Sequence, residues 1–380
     1  MRPLEGIKII EMAGLAPSPY CGMLLSDFGA DVVVVDRPSK GRPEIPNIMD
    51  KNPFDRGKRS IQVNLKTDEG VGITKKMIRD FDVIIEPYRP GVMEALGLGP
   101  DEALSINSKM IYARLTGWGQ NGPYASMAGH DINYIALSGA LSLFKPKGEK
   151  PLPPCNILGD FAGGGMLCAM GILLALIERN KSGKGQVIDA AMVDGAANLS
   201  TLFHGLLFNN LMSLDIGTNM LDSGAPYYQT YETADGKHIA VGAIEGRFYS
   251  LLLEGLGLDP FSLPHQNETQ RWPEMKARFA KVFKTKTRDE WASVFEGKDA
   301  CVAPVLELDE VSGYPHNRER GLIIDIDGVP QPAPAPRLSR TPGRADKMGY
   351  PNGPDTKGVL RELGYSEQKI EHLLKNEIVE

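Results

Sequence analysis

The stretch Asp31-Val32-Val33-Val34-Val35-Asp36 places four β-branched apolar residues in a row between two acids. An apolar run with no polar alternation is buried on both faces, which is the environment of a parallel strand covered by helices. The neighbouring segments repeat the theme. Ile7–Met12, Val83–Glu86 and Ile111–Thr116 read as further strands, and between them Ser18–Phe28 and Thr67–Phe81 read as helices, the second with Thr67 as N-cap. Strands separated by helices predict βαβ units, hence an open α/β fold with a parallel, Rossmann-like sheet. In such sheets ligands sit at the carboxyl ends of the strands.

Further along, Asp160–Arg179 predicts a long helix with Gly163, Gly164 and Gly165 in its first turns. Three glycines there cost roughly 1 kcal/mol each relative to Ala. Either a ligand or a second element must therefore approach that backbone closely. Gly183 and Gly185 turn the chain into Gln186–Ala191, and Met192–Leu211 predicts another long helix. From about Asn219 the character changes. Tyr227–Glu232 and His238–Ala243 read as a hairpin, followed by helices at Phe248–Leu256 and Arg271–Lys284, a capping box at Thr287–Glu290 and a strand at Ala300–Val305. Pro330, Pro332, Pro334, Pro336 and Pro342 suggest an extended connector, and Ser366 caps a final short helix. The expected layout is a large α/β domain over 1–190, a helical linker over 191–220, a small α+β domain over 221–312, a linker over 313–328 and a return to the large domain over 329–380.

Composition narrows the chemistry. A net charge of −6 opposes non-specific nucleic-acid binding, so a polyanionic ligand needs a local basic pocket. Basic residues do gather early, as Arg37, Lys40, Arg42, Arg56, Lys58 and Arg59, with Arg37 at the end of a predicted parallel strand. The four Cys are widely spaced and form no CxxC, which argues against a disulfide framework or a structural zinc. The 42 Gly and 28 Pro exceed the usual combined share of about 12% and point to tight turns and close backbone approaches. The apolar run Phe161–Ile177 falls short of the roughly 20 residues of a spanning helix. With no export, transit or peroxisomal signal read at the ends, the expectation is a cytoplasmic protein with no membrane partner.

Gly117-Trp118-Gly119-Gln120-Asn121-Gly122 spells GxGxxG after a strand, yet Pro123 follows at once and no helix begins in phase. A glycine turn, structural or ligand-facing, is the better reading. His130 stands out among the His residues, in Gly129-His130-Asp131-Ile132-Asn133-Tyr134 at a helix start. A His there can act as a base beside backbone N–H groups that stabilise an anion, or can be purely structural. Asp160 can be an N-cap or a functional carboxylate, and Glu245, at the end of the apolar strand Ile239–Ile244, can be functional or simply solvated.

These residues converge on one resemblance, which runs from end to end. It is carried by Leu4-Glu5-Gly6 with Glu11, Asp27-Phe28-Gly29-Ala30-Asp31, Asp36-Arg37-Pro38 and Arg56-Gly57-Lys58-Arg59-Ser60. It continues through Tyr88-Arg89-Pro90-Gly91-Val92, the Gly129–Tyr134 stretch, Gly159-Asp160-Phe161, Gly224-Ala225-Pro226-Tyr227-Tyr228 and Val241-Gly242-Ala243-Ile244-Glu245. The chain resembles the α-methylacyl-CoA racemases of the family III CoA-transferase (CaiB/BaiF) superfamily. The resemblance implies a large α/β domain built from both chain ends, a small domain between them and two chains interlocked as a homodimer. It implies epimerisation of 2-methylacyl-CoA thioesters, with His130 and Asp160 as the two bases, Glu245 paired with the His, and Asp131 beside the forming enolate. Arg37 with Val63, Asn64, Leu65 and Lys66 would hold the CoA phosphates and nucleotide, and Arg89, Gly129, Ile132, Asn133, Tyr134, Asn156 and Tyr228 would line the substrate site. CoA is then part of the substrate, and no metal or other cofactor is required. The superfamily's transferases use the equivalent of Asp160 as a nucleophile and carry a glycine-rich loop in the small domain. Here that stretch reads Glu245-Gly246-Arg247-Phe248-Tyr249, which favours the racemase over a CoA transferase; a non-catalytic acyl-CoA-binding protein is the reading from another class. Ser223, Gly246-Arg247 and a longer 40–52 segment depart from the racemase pattern and bear on acyl-chain preference.

Overall fold

The computed structural model describes residues 2–38, 49, 51–349 and 353–380; Lys40 and Arg42 lie outside the described residues. The chain divides into two compact units, one of residues 1–138, 154–199 and 315–380 and the other of 139–153 and 200–314.

The first unit is organised by the strands β1 (Lys8–Met12), β2 (Asp31–Asp36), β3 (Arg59–Gln62), β4 (Val83–Glu86), β5 (Ile111–Thr116) and β6 (Gln186–Ala191). All pair in parallel, in the order β3-β2-β1-β4-β5-β6. The connecting helices are α1 (Pro17–Asp27), α2 (Asp68–Asp80), α3 (Val92–Ala95), α4 (Pro100–Ile106) and α5 (Asp131–Leu137). Thr67 caps α2 as expected, its Oγ1 accepting the Gly70 N–H. Both sheet faces are covered, and for that reason Val32, Val33, Ile84 and Ile111 are fully buried without alternation.

Several elements differ from the sequence expectation. β3 lies in the basic segment, where Arg59 reads as surface, because Ile61 points into the core while Arg59 pairs with Asp31 at 2.6 Å. The expected helix from Asp160 begins earlier, as a π-helical stretch at Ile157–Met166, and runs into α6 (Leu167–Ser182). The combined helix, 157–182, is long and apolar enough to cross a membrane by length and composition. It buries Cys168, Ile172 and Leu176 and exposes Met170, Leu173, Leu174 and Ile177. Met192–Leu211 is broken at Ser200 into α7 (Met192–Leu199) and α8 (Thr201–Phe208).

A close approach by another element explains the glycines. A Cβ on Gly163 would stand 2.8 Å from the Ala196 N, one on Gly164 2.9 Å from Met192 Cγ, and one on Gly165 2.6 Å from the Pro17 O. The π-helix thus lies backbone to backbone between α1 and α7.

In the second unit β7 (Tyr228–Glu232), β8 (His238–Gly242) and, further on, β9 (Val302–Pro304) form an antiparallel sheet in the order β7-β8-β9. It carries α9 (Gly246–Leu256), α10 (Trp272–Phe283) and α11 (Arg288–Phe295) around an aromatic core that includes Tyr227, Phe279, Phe283 and Trp291. The capping box at Thr287 and Glu290 is present.

From Pro315, the start of α12 (Pro315–Glu319), the chain is again part of the first unit, earlier than the expected boundary at 329, whereas 139–153 belongs to the second unit. The proline-rich connector is partly a strand. β10 (Ile323–Ile326) pairs antiparallel with β11 (Val329–Pro332), whose Pro residues use their carbonyls or face the outer edge. The helices α13 (Thr356–Glu362) and α14 (Glu367–Lys375) follow. Buried Arg56 joins the two chain ends. It meets Asp27 through two N–H groups at 2.9 and 2.6 Å, Gln331 at 3.0 Å and the Pro332 carbonyl at 2.7 Å. Beyond β3, the Asn64 N–H donates to the Ile378 carbonyl at 2.8 Å and Val63 bridges Val379.

Gly165→Ala is expected to destabilise the protein by about 1–3 kcal/mol, since neither Pro17 nor α1 can give way without repacking. Gly72→Ala, in α2 with nothing within 4 Å of the added methyl, should be neutral or stabilising by up to about 1 kcal/mol. Parallel thermal melts of the two variants check the contrast; equal melting shifts would refute the close-approach account.

Candidate active site

The strand order reverses its direction of growth between β1 and β4, and two adjoining clefts open there, at the carboxyl ends of the strands. Gly14, Leu15 and Tyr88 line both. The first cleft, of about 440 Å³, is lined by Arg89, Thr116, Trp118, Gly129, His130, Tyr134 and Asp160, with Met127 and Met192 on its apolar side. The second, of about 570 Å³, is lined by Asp36, Arg37 and the whole of Val63, Asn64, Leu65 and Lys66. Chain direction explains the grouping: Arg37 follows β2, Val63 follows β3, Pro87 follows β4 and Gly117 follows β5, so every connection leaves its strand at the same edge.

His130 occupies the N-cap position of α5 with extended backbone, and its N–H donates to Asn133 Oδ1 at 3.1 Å. Residues on both sides of it in the chain hold that backbone in place. Tyr134 packs edge-on to Trp118 at 4.8 Å and its hydroxyl donates to the Gly129 carbonyl. Gly117 and Gly129 leave room for that ring, since a Cβ on either would fall within 2.6 Å of it. The literal GxGxxG is therefore a turn, with Gly119 and Gly122 at positive φ and Asp189 accepting the Gln120 N–H at 2.9 Å. No helix starts there to receive a pyrophosphate.

Asp131, next to His130, is buried. Its Oδ1 accepts the N–H groups of Gly159 at 2.6 Å and Asp160 at 2.7 Å. One carboxylate thus holds the backbone that presents Asp160. Asp160 is not the N-cap of a regular helix but lies within the π-helical turn, and its Oδ2 accepts from Asn156 Nδ2 at 3.0 Å. Burial pushes the Asp160 carboxyl above the ordinary carboxylate range. The Asn156 hydrogen bond opposes this, the charge of Asp131 adds to it, and His130 works against it. The Tyr134 hydroxyl is pushed up to about 12 by burial and does not titrate near neutrality.

Of the residues expected at the site, His130, Asp160, Arg89, Gly129 and Tyr134 share the first cleft, and Arg37 with Val63–Lys66 shares the second. Asn156 acts through its bond to Asp160. Ile132 and Asn133 line neither cleft; Ile132 is exposed and Asn133 caps the His130 N–H. Glu245, at the N-cap position of α9, and Tyr228, the first residue of β7, belong to the other compact unit. Sequence reasoning missed Tyr88, Trp118, Met127 and Met192. Tyr88 and Trp118 each lie two residues past a strand end, the one signal that could have singled them out.

The sequence profile of CoA-transferase family III matches residues 4–356. An alpha-methylacyl-CoA racemase of Mus musculus is 50% identical over 380 residues, covering 99% of this chain and 97% of that protein. A protein of the same description from Homo sapiens is 48% identical over 379 residues, again covering 99% and 97%. A crystal structure of a CAIB/BAIF family protein from Brucella suis superposes with a TM-score of 0.83 at 26% identity, over 95% of this chain and 99% of that one.

Asn156→Ala should raise the Asp160 pKa further, because the bond it removes stabilises only the charged form. Carbon-13 carboxyl NMR of labelled Asp, followed against pH, measures this directly. A titration that stays in place or moves down would contradict the geometry described above.

Proposed function

The chain belongs to CoA-transferase family III, and from that premise we propose that it interconverts the α-epimers of 2-methylacyl-CoA thioesters. The observation that carries this reading is that His130 and Asp160 line one cleft, and that this cleft adjoins another lined by Arg37 and Lys66. A thioester α-proton is weakly acidic. Removing it sends its electron pair into the carbonyl and gives a planar enolate. Inversion then needs a base on one face and an acid on the other.

In this scheme His130 takes the proton from one epimer while protonated Asp160 returns one to the opposite face; the other epimer reverses the roles. Burial raises the Asp160 carboxyl and so eases its protonated form, which suits a residue that must both take and return a proton. Backbone N–H groups at the first turn of α5 are suited to the enolate oxygen. Arg37, Lys66 and Arg89 would hold the CoA phosphates. CoA travels as part of the substrate, and the scheme calls for no metal or redox cofactor.

A homodimer fits the exposed apolar side chains. Met170, Leu173, Leu174 and Ile177 form a stripe on α6, and α8 exposes Leu202, Leu207 and Phe208 with none of its residues buried. A second copy of the chain would cover these surfaces.

The test is incubation with a single epimer in deuterated buffer. Wild type should epimerise it and incorporate deuterium at the α-carbon. His130→Ala should lose roughly 10²–10⁴-fold in epimerisation rate, the usual contribution of a positioned base. Asp160→Asn should nearly abolish epimerisation yet keep α-proton exchange with retention in the epimer that His130 attacks. Near-normal turnover in His130→Ala would end the two-base scheme. A covalent acyl-enzyme at Asp160, formed in the presence of a free acid acceptor, would establish the transferase instead.

A further inference from the structure

Tyr88 and Arg89 lie on the five-residue loop 87–91, between β4 and α3. Tyr88 lines both clefts and Arg89 the first. What holds this loop lies just behind it. Glu86, the last residue of β4, is fully buried, and β4 and β5 pair in a register that sets it directly opposite Arg114. Arg114 Nε donates to Glu86 Oε1 at 2.7 Å, and the other oxygen, Oε2, accepts the Tyr88 N–H at 3.2 Å. The same guanidinium reaches Glu94 on α3, with Nη1 at 2.8 Å from its Oε1. One buried cation is thus bonded to a carboxylate on each side of the loop. Gly91, at φ +88°, makes the sharp turn that brings Glu94 back within reach.

We propose that Arg114 is a positioning residue, a clasp that brackets the loop 87–91 between Glu86 and Glu94 and so sets Tyr88 and Arg89 for the CoA ester. The inference rests on the acyl-CoA reading of the two clefts and deepens it. The geometry gives the clasp a stiff side and a soft side. Glu86 has no exposure at all, so its bond to Arg114 cannot be exchanged for water. Glu94 is 43% exposed, and its bond can. The soft side is the one where the loop rejoins the helix, so loosening it should free Arg89 without unfolding the strand ends.

Glu94 is therefore the residue to change, since Arg114→Ala would strand the Glu86 carboxylate in the core. In Glu94→Ala, the dissociation constant for CoA, measured by calorimetry, should rise about three- to fivefold, the scale of a half-exposed ion pair. Glu94→Gln, which keeps one acceptor, should show a smaller rise. The kcat for epimerisation and the melting temperature should stay near wild type, while KM follows the binding loss. In an Arg89→Ala background, Glu94→Ala should weaken CoA binding no further. Unchanged CoA affinity in Glu94→Ala, a loss shared equally by kcat, or full additivity with Arg89→Ala would each overturn the clasp. The calorimetric comparison needs no turnover, so a failure of the epimerase reading would appear in the exchange assay alone.

Discussion

The arrangement of the candidate site depends on one carboxylate. Asp131 Oδ1 accepts two backbone N–H groups, from Gly159 and Asp160, at 2.6 and 2.7 Å. Charge-assisted bonds of this length are roughly twice as strong as neutral ones, and burial strengthens them further. Asp131 directly follows His130, and Asp160 is one of its two donors. The position of one proposed base is therefore transmitted to the other through a single side chain, across nearly thirty residues of sequence. Gly159 is required for the approach: a Cβ there would lie 2.6 Å from the same oxygen.

The π-helical turn serves the same end. A regular helix starting at Asp160 would use that N–H in its own capping pattern. Widening the first turns turns the N–H groups of Gly159 and Asp160 toward Asp131 and lets α1 and α7 close against the glycines behind them. π-helical turns are costly and tend to persist where function holds them. The glycine run thus has a packing cause and a placing effect. Close contact on one side of the helix leaves Asp160 at the cleft on the other.

Much of this was legible in the sequence. The valine run at 32–35 announced a doubly covered parallel sheet, and four of its six strands could be read from apolar runs bounded by acids or turns, while β6 was visible only as the segment that follows a glycine turn. The sixth, β3, was hidden because Arg59 and Gln62 carry partners from distant segments, and local pattern does not register a tertiary ion pair. His130 was visible as a lone His at a helix start after a glycine loop. Asp160 and Asn156 were harder: a carboxylate before glycines looks like a cap whatever its pKa, and burial is not a local property. Arg114 could not be singled out at all. Its importance comes from the β4–β5 register and from a helix on the far side of a loop, and neither appears in residue order.

Arg56 and the β3 edge carry a further consequence, for the order of events on the ribosome. The second unit is nearly continuous, with 200–314 emerging as one stretch. The first unit is not. Its buried Arg56 waits for Gln331 and Pro332, and the strand end that leads into Val63 waits for Ile378 and Val379. About two hundred residues of mostly completed α/β sheet must therefore stand with an open edge while another unit is made. An edge strand without its cover is a template for pairing with other chains. Arg59, the first residue of that strand and still without its partner Glu362 at that stage, places charge where such pairing would begin. The segment that most delays folding of the first unit thus carries its own defence during the wait.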